Sequence, residues 1–247
     1  MTAGTLLVAH GTRNPAGVSM IGDLAQLMSR QLRHPVRVAF VDVLGPSPSQ
    51  VLTELPDDQH IAVVPAFLAR GYHVRADIPG HLADAAHPRA TVSRALGPSP
   101  VLAEVLAHRL AAAGYRPGDT VVLAAAGSSD ARAVRDVESA AGDLQRCLGT
   151  QVRIGFAAPA ADGSGYPAVA EVVAGLRTRG PGRIAVASYL LADGLFQRRL
   201  HDCGADVVAA PLGLHPRIVD LACARSRSTS PGLRAAAEWT PRLAASS

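Results

Sequence analysis

The sequence predicts an α/β protein with two tandem parallel-sheet domains, related by an internal duplication with pseudo-two-fold character. Short apolar runs typical of buried strands alternate with stretches of helical spacing, and this order indicates parallel βαβ units. Two stretches of the first half also return in the second half, each 116 positions later. Residues 8–12 return as 124–128, and residues 36–42 return as 152–158. Such self-similarity indicates a duplicated fold.

The elements of the first half can be read in order. Strands are predicted over residues 5–9, 36–41, 61–67 and 91–96, where apolar residues run together between turn residues. Helices are predicted over residues 18–32, 48–55 and 100–113. A further helix is expected after Asp77 and Ile78, with Pro79 in its first turn, where a missing N–H costs nothing.

The same order restarts at Val121, after a turn-rich linker at residues 115–119. We therefore predict a first domain at residues 1–117 and a second domain at residues 118–225. Residues 226–247 are polar and aperiodic, and we expect a tail there that is partly ordered around residues 235–239. No function is assigned to this tail.

Composition excludes several classes of protein. The net charge is only +4 and basic residues do not alternate with aromatic ones, so no nucleic acid partner is expected. No apolar run reaches the roughly 18 residues of a membrane span, and no leader is apparent, so we expect a cytoplasmic protein. The cysteines at 147, 203 and 223 form no Cys-x-x-Cys pair, which argues against an iron–sulfur cluster. A small anionic ligand is the expected partner.

Three ionisable side chains stand where the first half differs from its copy. His10 follows the first predicted strand, Asp42 ends the second and His73 lies in the loop after the third. Because ligands bind beyond the carboxyl ends of parallel strands, all three are expected to reach one crevice. Their counterparts are inert: Ala126, Ala158 and Phe196. We predict that the chemistry belongs to the first half.

Two imidazoles and a carboxylate suit Fe, Co, Ni or Zn and leave coordination positions open. Structural metal sites are usually closed by four protein ligands, so an open set favours metal transfer or catalysis. Imidazole also titrates near neutral pH and can accept protons. The catalytic prediction is therefore His10, Asp42 and His73, with His10 and His73 as the metal ligands.

Arginines and glycine turns surround these residues. Arg13, Arg70 and Arg75 flank them in sequence, and three guanidinium groups near one crevice would suit a substrate with several carboxylates. Turns at Gly11-Thr12 and Gly71-Tyr72 would let the backbone approach a ligand. The other histidines are expected to be solvated at His34, His60, His87 and His108, on a surface helix at His81, and structural at His201 and His215.

Three motifs together carry a family resemblance: HGTR at residues 10–13, FVD at residues 40–42 followed by Pro46, and FLARGYHVRADIP at residues 67–79. With them the chain resembles the class II tetrapyrrole chelatases of the sirohydrochlorin type, in their long two-domain bacterial form. The resemblance covers residues 5 to about 225. It implies two flavodoxin-like or Rossmann-like domains whose cleft holds a polycarboxylate tetrapyrrole.

The resemblance also implies roles for residues. His10 and His73 would deliver metal, and His10 would accept protons from the pyrrole nitrogens. The family usually has Glu where this chain has Asp42, which favours a water-bridged or proton-relay role. The loop from Leu68 to Tyr72 would lie along the macrocycle, so the predicted substrate-binding residues are Gly11, Thr12, Arg13, Leu68, Ala69, Arg70, Gly71, Tyr72 and Arg75.

The expected activity is insertion of a divalent metal into sirohydrochlorin with loss of two protons. Fe²⁺ is favoured, because no long His-rich tract suggests a dedicated cobalt or nickel store. Cobalt insertion for cobalamin is the alternative. The metal is a substrate, and no permanently bound cofactor is expected. Because the duplication supplies two similar halves in one chain, a monomer is expected.

Two alternatives from other classes are kept open. A histidine phosphatase places Arg before its His-Gly pair to hold phosphate, and this chain has Ala9 there. A non-catalytic metal-binding or tetrapyrrole-binding protein would also suit an open site in a basic cleft. Turnover separates such a carrier from an enzyme.

Overall fold

The computed structural model describes residues 3–229, and the two halves of the sequence form the same series of elements. The first half contains β1 (Ala3–Ala9), α1 (Pro15–Leu32), β2 (Val36–Phe40), α2 (Pro48–Thr53), β3 (His60–Pro65), one π-helical turn (His73–Asp77), α3 (Ile78–Ala85), β4 (Ala90–Val92) and α4 (Pro100–Ala112). The second half contains β5 (Thr120–Ala125), α5 (Ala131–Leu148), β6 (Val152–Phe156), α6 (Val169–Arg177), β7 (Ile184–Tyr189), α7 (Leu195–His201), β8 (Val207–Val208) and α8 (Pro216–Arg227).

Each half supplies one four-stranded parallel sheet. The strand orders are β2-β1-β3-β4 and β6-β5-β7-β8. The registers repeat as well, since Thr5 pairs with Val36 in one sheet and Val121 pairs with Val152 in the other. The predicted α/β class with two duplicated sheets is confirmed.

The last helix of each half packs on the sheet of the other half. Helix α4 contacts β7 and α5, whereas α8 contacts β3 and α1. The hydroxyl of Ser226 on α8 lies 2.7 Å from the hydroxyl of Thr5 on β1, and both residues are buried. One apolar core consequently runs through both halves, from Leu7 and Leu24 to Leu123 and Leu144. Residue 117 lies between the two sheets, but the two halves share one core and each contributes a helix to the other.

Helix ends depart from the predicted bounds for local reasons. Helix α1 begins at Pro15, three residues early, because the side chain of Asn14 accepts a hydrogen bond from the N–H of Ala16 and caps the helix. Helix α8 continues through Arg227 into the predicted tail, because Ser226 is buried against β1. The predicted order around residues 235–239 lies outside the described residues.

Two further differences lie after β3 and in β4. The chain was expected to enter a helix near Pro79, but it already winds at His73 in a π-helical turn that continues into α3. Strand β4 ends at Val92, four residues before the predicted end, although the N–H groups of Ser93 and Leu96 still donate to carbonyls of β3. Within residues 3–229, no helix is long and apolar enough to cross a membrane.

Candidate functional site

The predicted site residues lie where β1, β2 and β3 end. His10 directly follows β1, and the N–H of Asp42 donates to the carbonyl of His10 at 3.0 Å, which holds the loops after β1 and β2 together. Gly11 makes this contact feasible, because its φ is +98° and a Cβ there would lie 2.1 Å from the carbonyl oxygen of Asp42. Gly127 has the same role against Ala158 in the second half. The scaffold of the site is therefore duplicated even though its ionisable side chains are not.

The structure brings His10 and His73 together. Their ring centroids are 4.5 Å apart and the ring planes are almost perpendicular, at 86°. Nδ1 of His10 lies 3.0 Å from the carbonyl oxygen of Gly11, which can only accept, so Nδ1 carries the hydrogen. Nδ1 of His73 lies 2.5 Å from Oδ2 of Asp77 and donates in the same way. Both Nε2 atoms consequently keep free lone pairs for a metal ion or a proton.

Asp77 is a candidate site residue that the sequence does not single out. It lies four residues after His73 on the π-helical turn, so its carboxylate returns to the same face. A carboxylate that accepts from Nδ1 fixes the tautomer and the orientation of the ring. The spacing His-x₃-Asp at residues 73–77 is the sequence signal for this contact.

Asp42 does not join the two imidazoles as a third ligand. Its Oδ1 accepts from the N–H of Val43 at 2.7 Å, inside its own loop. Within the described part of the chain, no group of three or more His, Cys, Asp or Glu side chains could hold a metal ion. Asp42 and His73 do line one open groove of about 450 Å³, together with Tyr72, Asp77 and His81. This placement suits a proton relay through water better than direct ligation.

Two of the predicted substrate-binding arginines contact the second half. Arg70 donates through Nη2 to Asp136 at 2.6 Å, and Arg75 donates through Nη2 to Asp130 at 2.5 Å. The hydrogen bond and charge of Asp136 raise the pKa of Arg70, and the hydrogen bond from Arg75 lowers the pKa of Asp130. The sequence predicts substrate contacts for both arginines, and these pairs with the second half differ from that expectation. Nη1 of Arg70 takes no part in these bonds, and the Arg70 side chain is 59% exposed.

The other predicted binding residues have mixed surroundings. Arg13 is exposed, and no ion pair is recorded for it among the described residues. The hydroxyl of Thr12 accepts from the N–H of Asn14 and so shapes the turn before α1. Leu68 packs against the core, and half-buried Ala69 follows it. A Cβ at Gly71 would lie 3.7 Å from the Cβ of Ala133 in the second half, so the backbone of the loop is close to that half here.

The exposed large apolar side chains follow strand ends in both halves. Among the described residues this class has five members, and each follows the carboxyl end of a strand: Val43, Leu44, Tyr72, Leu195 and Phe196. Tyr72 is the most exposed, at 64%. Val43 also has a φ of +66°, a conformation that is costly for a β-branched residue. The exposed ring of Tyr72 lies beside His73, where apolar exposure suits a binding surface.

This duplicated scaffold, with its histidine pair on one half, matches a known family. The sequence model of CbiX matches the chain twice, over residues 4–113 and 120–229. The chain belongs to the CbiX family. The two matches coincide with the two copies recognised from the internal repeat, and the predicted resemblance to class II chelatases is confirmed.

Individual relatives agree with this assignment. The sirohydrochlorin cobaltochelatase of Methanothermobacter thermautotrophicus is 40% identical over 78 residues, which are 31% of this chain. The chain thus matches 54% of that relative's length. Among solved structures, SirB from Bacillus subtilis with Fe³⁺ superimposes with a TM-score of 0.79 at 23% identity, over 95% of this chain and 98% of that one. SirB from Bacillus subtilis subspecies spizizenii, in complex with cobalt, gives 0.74 at 23% identity over the same shares. These identities show a shared fold.

Proposed function

We propose that this chain is a sirohydrochlorin chelatase that inserts a divalent metal ion into the tetrapyrrole with release of two protons. The observation that carries the proposal is the His10–His73 pair, whose rings lie 4.5 Å apart with both Nε2 atoms unengaged. Two neutral imidazole nitrogens can hold a divalent ion and leave positions open for pyrrole nitrogens. The same nitrogens accept protons once the metal has left.

The surroundings of the pair suit a large, flat, polyanionic substrate. Exposed Tyr72 lies beside His73, and exposed Phe196 follows β7 of the other half. Such surfaces would lie against the faces or edges of a macrocycle, because burying apolar area is favourable. Arg13 and Nη1 of Arg70 would bind substrate carboxylates. Asp42, in the same groove as His73, would pass the released protons to water.

The second half forms the opposite wall, and its described residues include no counterpart of the His10–His73 pair. Ala126, Ala158 and Phe196 stand where the first half has His10, Asp42 and His73. One pair of imidazoles delivers one ion to one face of the ring, so a second set would only compete for metal. We further propose that the chain acts as a cytoplasmic monomer, since the two halves already share one core.

Iron is the proposed metal and cobalt the alternative. The two histidines do not discriminate, since divalent affinity follows the ion more than such a site. The names of the relatives include both metals: a cobaltochelatase, and SirB with Fe³⁺ or with cobalt. Initial rates with Fe²⁺ and Co²⁺ under anaerobic conditions decide between them.

A metalation assay distinguishes a chelatase from a protein that only binds metal or tetrapyrrole. Purified protein in catalytic amount is mixed with sirohydrochlorin and Fe²⁺ or Co²⁺, and the absorption spectrum is followed. An enzyme accelerates metalation of many equivalents, whereas a carrier binds one equivalent and stops. Stoichiometric binding without acceleration would exclude the proposed activity.

A further inference from the structure

The loop that carries His73 is held from outside its own half. Residues 66–71, which lead from β3 into the helical turn of His73, form no helix or strand, and such segments are mobile unless they are tied down. The ring of His73 nevertheless has to lie within 4.5 Å of the ring of His10. The contacts that fix this loop come from the second half, which has no counterparts of His10 and His73.

Asp136 on α5 makes the densest of these contacts. Its carboxylate accepts from the backbone N–H of Arg70 at 2.7 Å, from Nε at 3.0 Å and from Nη2 at 2.6 Å. The side chain of Asp136 is only 3% exposed, whereas that of Arg70 is 59% exposed. A buried carboxylate bonded to both backbone and side chain of one residue fixes that residue in place, since leaving the carboxylate unpaired is costly.

Tyr189, at the end of β7, holds the loop at Leu68, two residues before Arg70. Its hydroxyl donates to the carbonyl of Leu68 at 2.9 Å, and the ring is 2% exposed. Burial raises the pKa of Tyr189, and the nearby carboxylates add to this, so the hydroxyl keeps its proton. Gly97 makes room for the contact, because a Cβ there would lie 2.1 Å from the Leu68 carbonyl oxygen and 2.7 Å from the Tyr189 hydroxyl.

A third contact follows His73. Arg75 donates to Asp130, the N-cap residue of α5, at 2.5 Å. The loop is thus held at residues 68, 70 and 75, on both sides of the histidine.

The duplication makes this arrangement one-sided. Helices α1 and α5 are copies with the same length, so Asp136 corresponds to Met20. In the strand copies β3 and β7, where Ile61 corresponds to Ile184, Tyr189 corresponds to Ala66. The second half therefore has polar side chains at positions 136 and 189, where the first half has the apolar residues Met20 and Ala66.

We infer that Asp136 and Tyr189 are positioning residues, by which the second half holds the His73 loop so that His73 meets His10 at the metal. This inference rests on the proposed function, in which these two histidines deliver the metal. Preorganisation of ligands by a rigid supporting shell is what such a site requires, because small displacements of a ligand are costly.

The test uses the full chain with two conservative substitutions, Asp136→Asn and Tyr189→Phe, and Asp143→Asn as the matched control. Asp143 lies on the same helix, is similarly buried and pairs with Arg146 instead of the loop. Hydrogen exchange of amides 68–77 reports the loop directly, and a Co²⁺ titration reports the histidine pair without any tetrapyrrole.

In Asp136→Asn and in Tyr189→Phe we expect faster amide exchange in the loop and a Co²⁺ dissociation constant raised by about 10-fold, the lower end of the effect of removing groups that hold metal ligands in place. The control should match the parent protein in both. Unchanged loop exchange and Co²⁺ affinity in both variants would overturn the inference. Equal changes in Asp143→Asn would also overturn it, since they would indicate a general loss of packing on α5.

Failure of the proposed function gives a different result. If the parent protein does not metalate sirohydrochlorin but the two variants still loosen the loop and weaken Co²⁺ binding, the chelatase proposal fails and the positioning role stands. If the parent protein is active and the variants behave like the control, the positioning role alone fails.

Discussion

Oδ2 of Asp77 lies 2.5 Å from Nδ1 of His73, four residues away on the same π-helical turn. The carboxylate can only accept here, so the hydrogen on Nδ1 is fixed and Nε2 is left as the basic nitrogen. The half-buried His73 thereby acquires one defined tautomer and one defined direction. The π-helical turn brings the two groups to the same face.

Replacement of Asp77 by Asn should weaken metal binding without unfolding the protein. The amide can still contact Nδ1, but the negative charge that supports the imidazole is lost. We expect the Co²⁺ dissociation constant to rise about 10- to 100-fold. The measurement is a Co²⁺ titration, with Asp23→Asn on the exposed face of α1 as a control of equal charge change. Equal affinity in the two variants would contradict the role assigned to Asp77.

Replacement of His10 by Ala should abolish metal insertion and leave the fold intact. His10 is exposed and its recorded hydrogen bond is to the next residue, so the free energy of unfolding should change by no more than about 0.5 kcal/mol. The reciprocal variant, Ala126→His, should create no second active site, because Ala158 and Phe196 remain inert. Near-normal turnover in His10→Ala would show that the metal does not pass through His10.

Replacement of Arg70 by Ala should destabilise the protein through its buried partner. The exposed guanidinium gains little from the ion pair itself, but Asp136 would be left as a buried carboxylate with fewer donors. We expect a loss of about 1–3 kcal/mol in urea unfolding. Arg37→Ala is the matched control, since Arg37 pairs with Glu54 and both side chains are exposed, and it should cost less. A smaller loss for Arg70→Ala than for the control would refute this explanation.

Acidification should destabilise the protein partly through His215 and His34. His215 caps α8 by accepting from the N–H of Arg217, and its Nε2 lies 2.9 Å from Nδ1 of His108. Burial lowers the pKa of His215, and the positive charges of His108, Arg109 and Arg217 lower it further.

The pKa of His34 is lowered in the same direction, by burial and by the charge of Arg227, and the ring of His34 is hydrogen-bonded to Thr5. Of the histidines expected to be solvated, His34 and His108 thus have side-chain partners.

The sign of the pH effect follows from where the protons bind. With a lowered pKa in the folded state, the unfolded chain takes up protons first as the pH falls below about 6.5, so the free energy of unfolding decreases there. The loss continues until the pH reaches the lowered pKa of the folded state. In the double variant His215→Asn and His34→Gln, stability should depend less steeply on pH in this window, as measured by urea unfolding. Asn keeps the N-cap. An unchanged slope would show that other groups carry the effect.

The local pattern of the sequence determined the class of fold and the place of the two histidines. Apolar runs, helical spacing and the repeat predicted the strands and helices, and His10 and His73 were placed at strand ends that meet at one edge of a sheet. These features depend on neighbours in the chain or on the copy, so they can be read without a structure. Asp77 was within reach of the same reasoning, because its partner is only four residues away.

The tertiary structure alone decided which half supports the site and which helix covers each sheet. The partners of the His73 loop lie far along the chain, since Arg70 and Asp136 are 66 positions apart and Leu68 and Tyr189 are 121 apart. Nothing in local periodicity specifies such pairs. Nor does it specify that α4 and α8 exchange sheets, because an amphipathic helix buries the same face on either sheet. These choices follow from the packing of the whole chain into one core, which places Asp136 and Tyr189 next to the loop that carries His73.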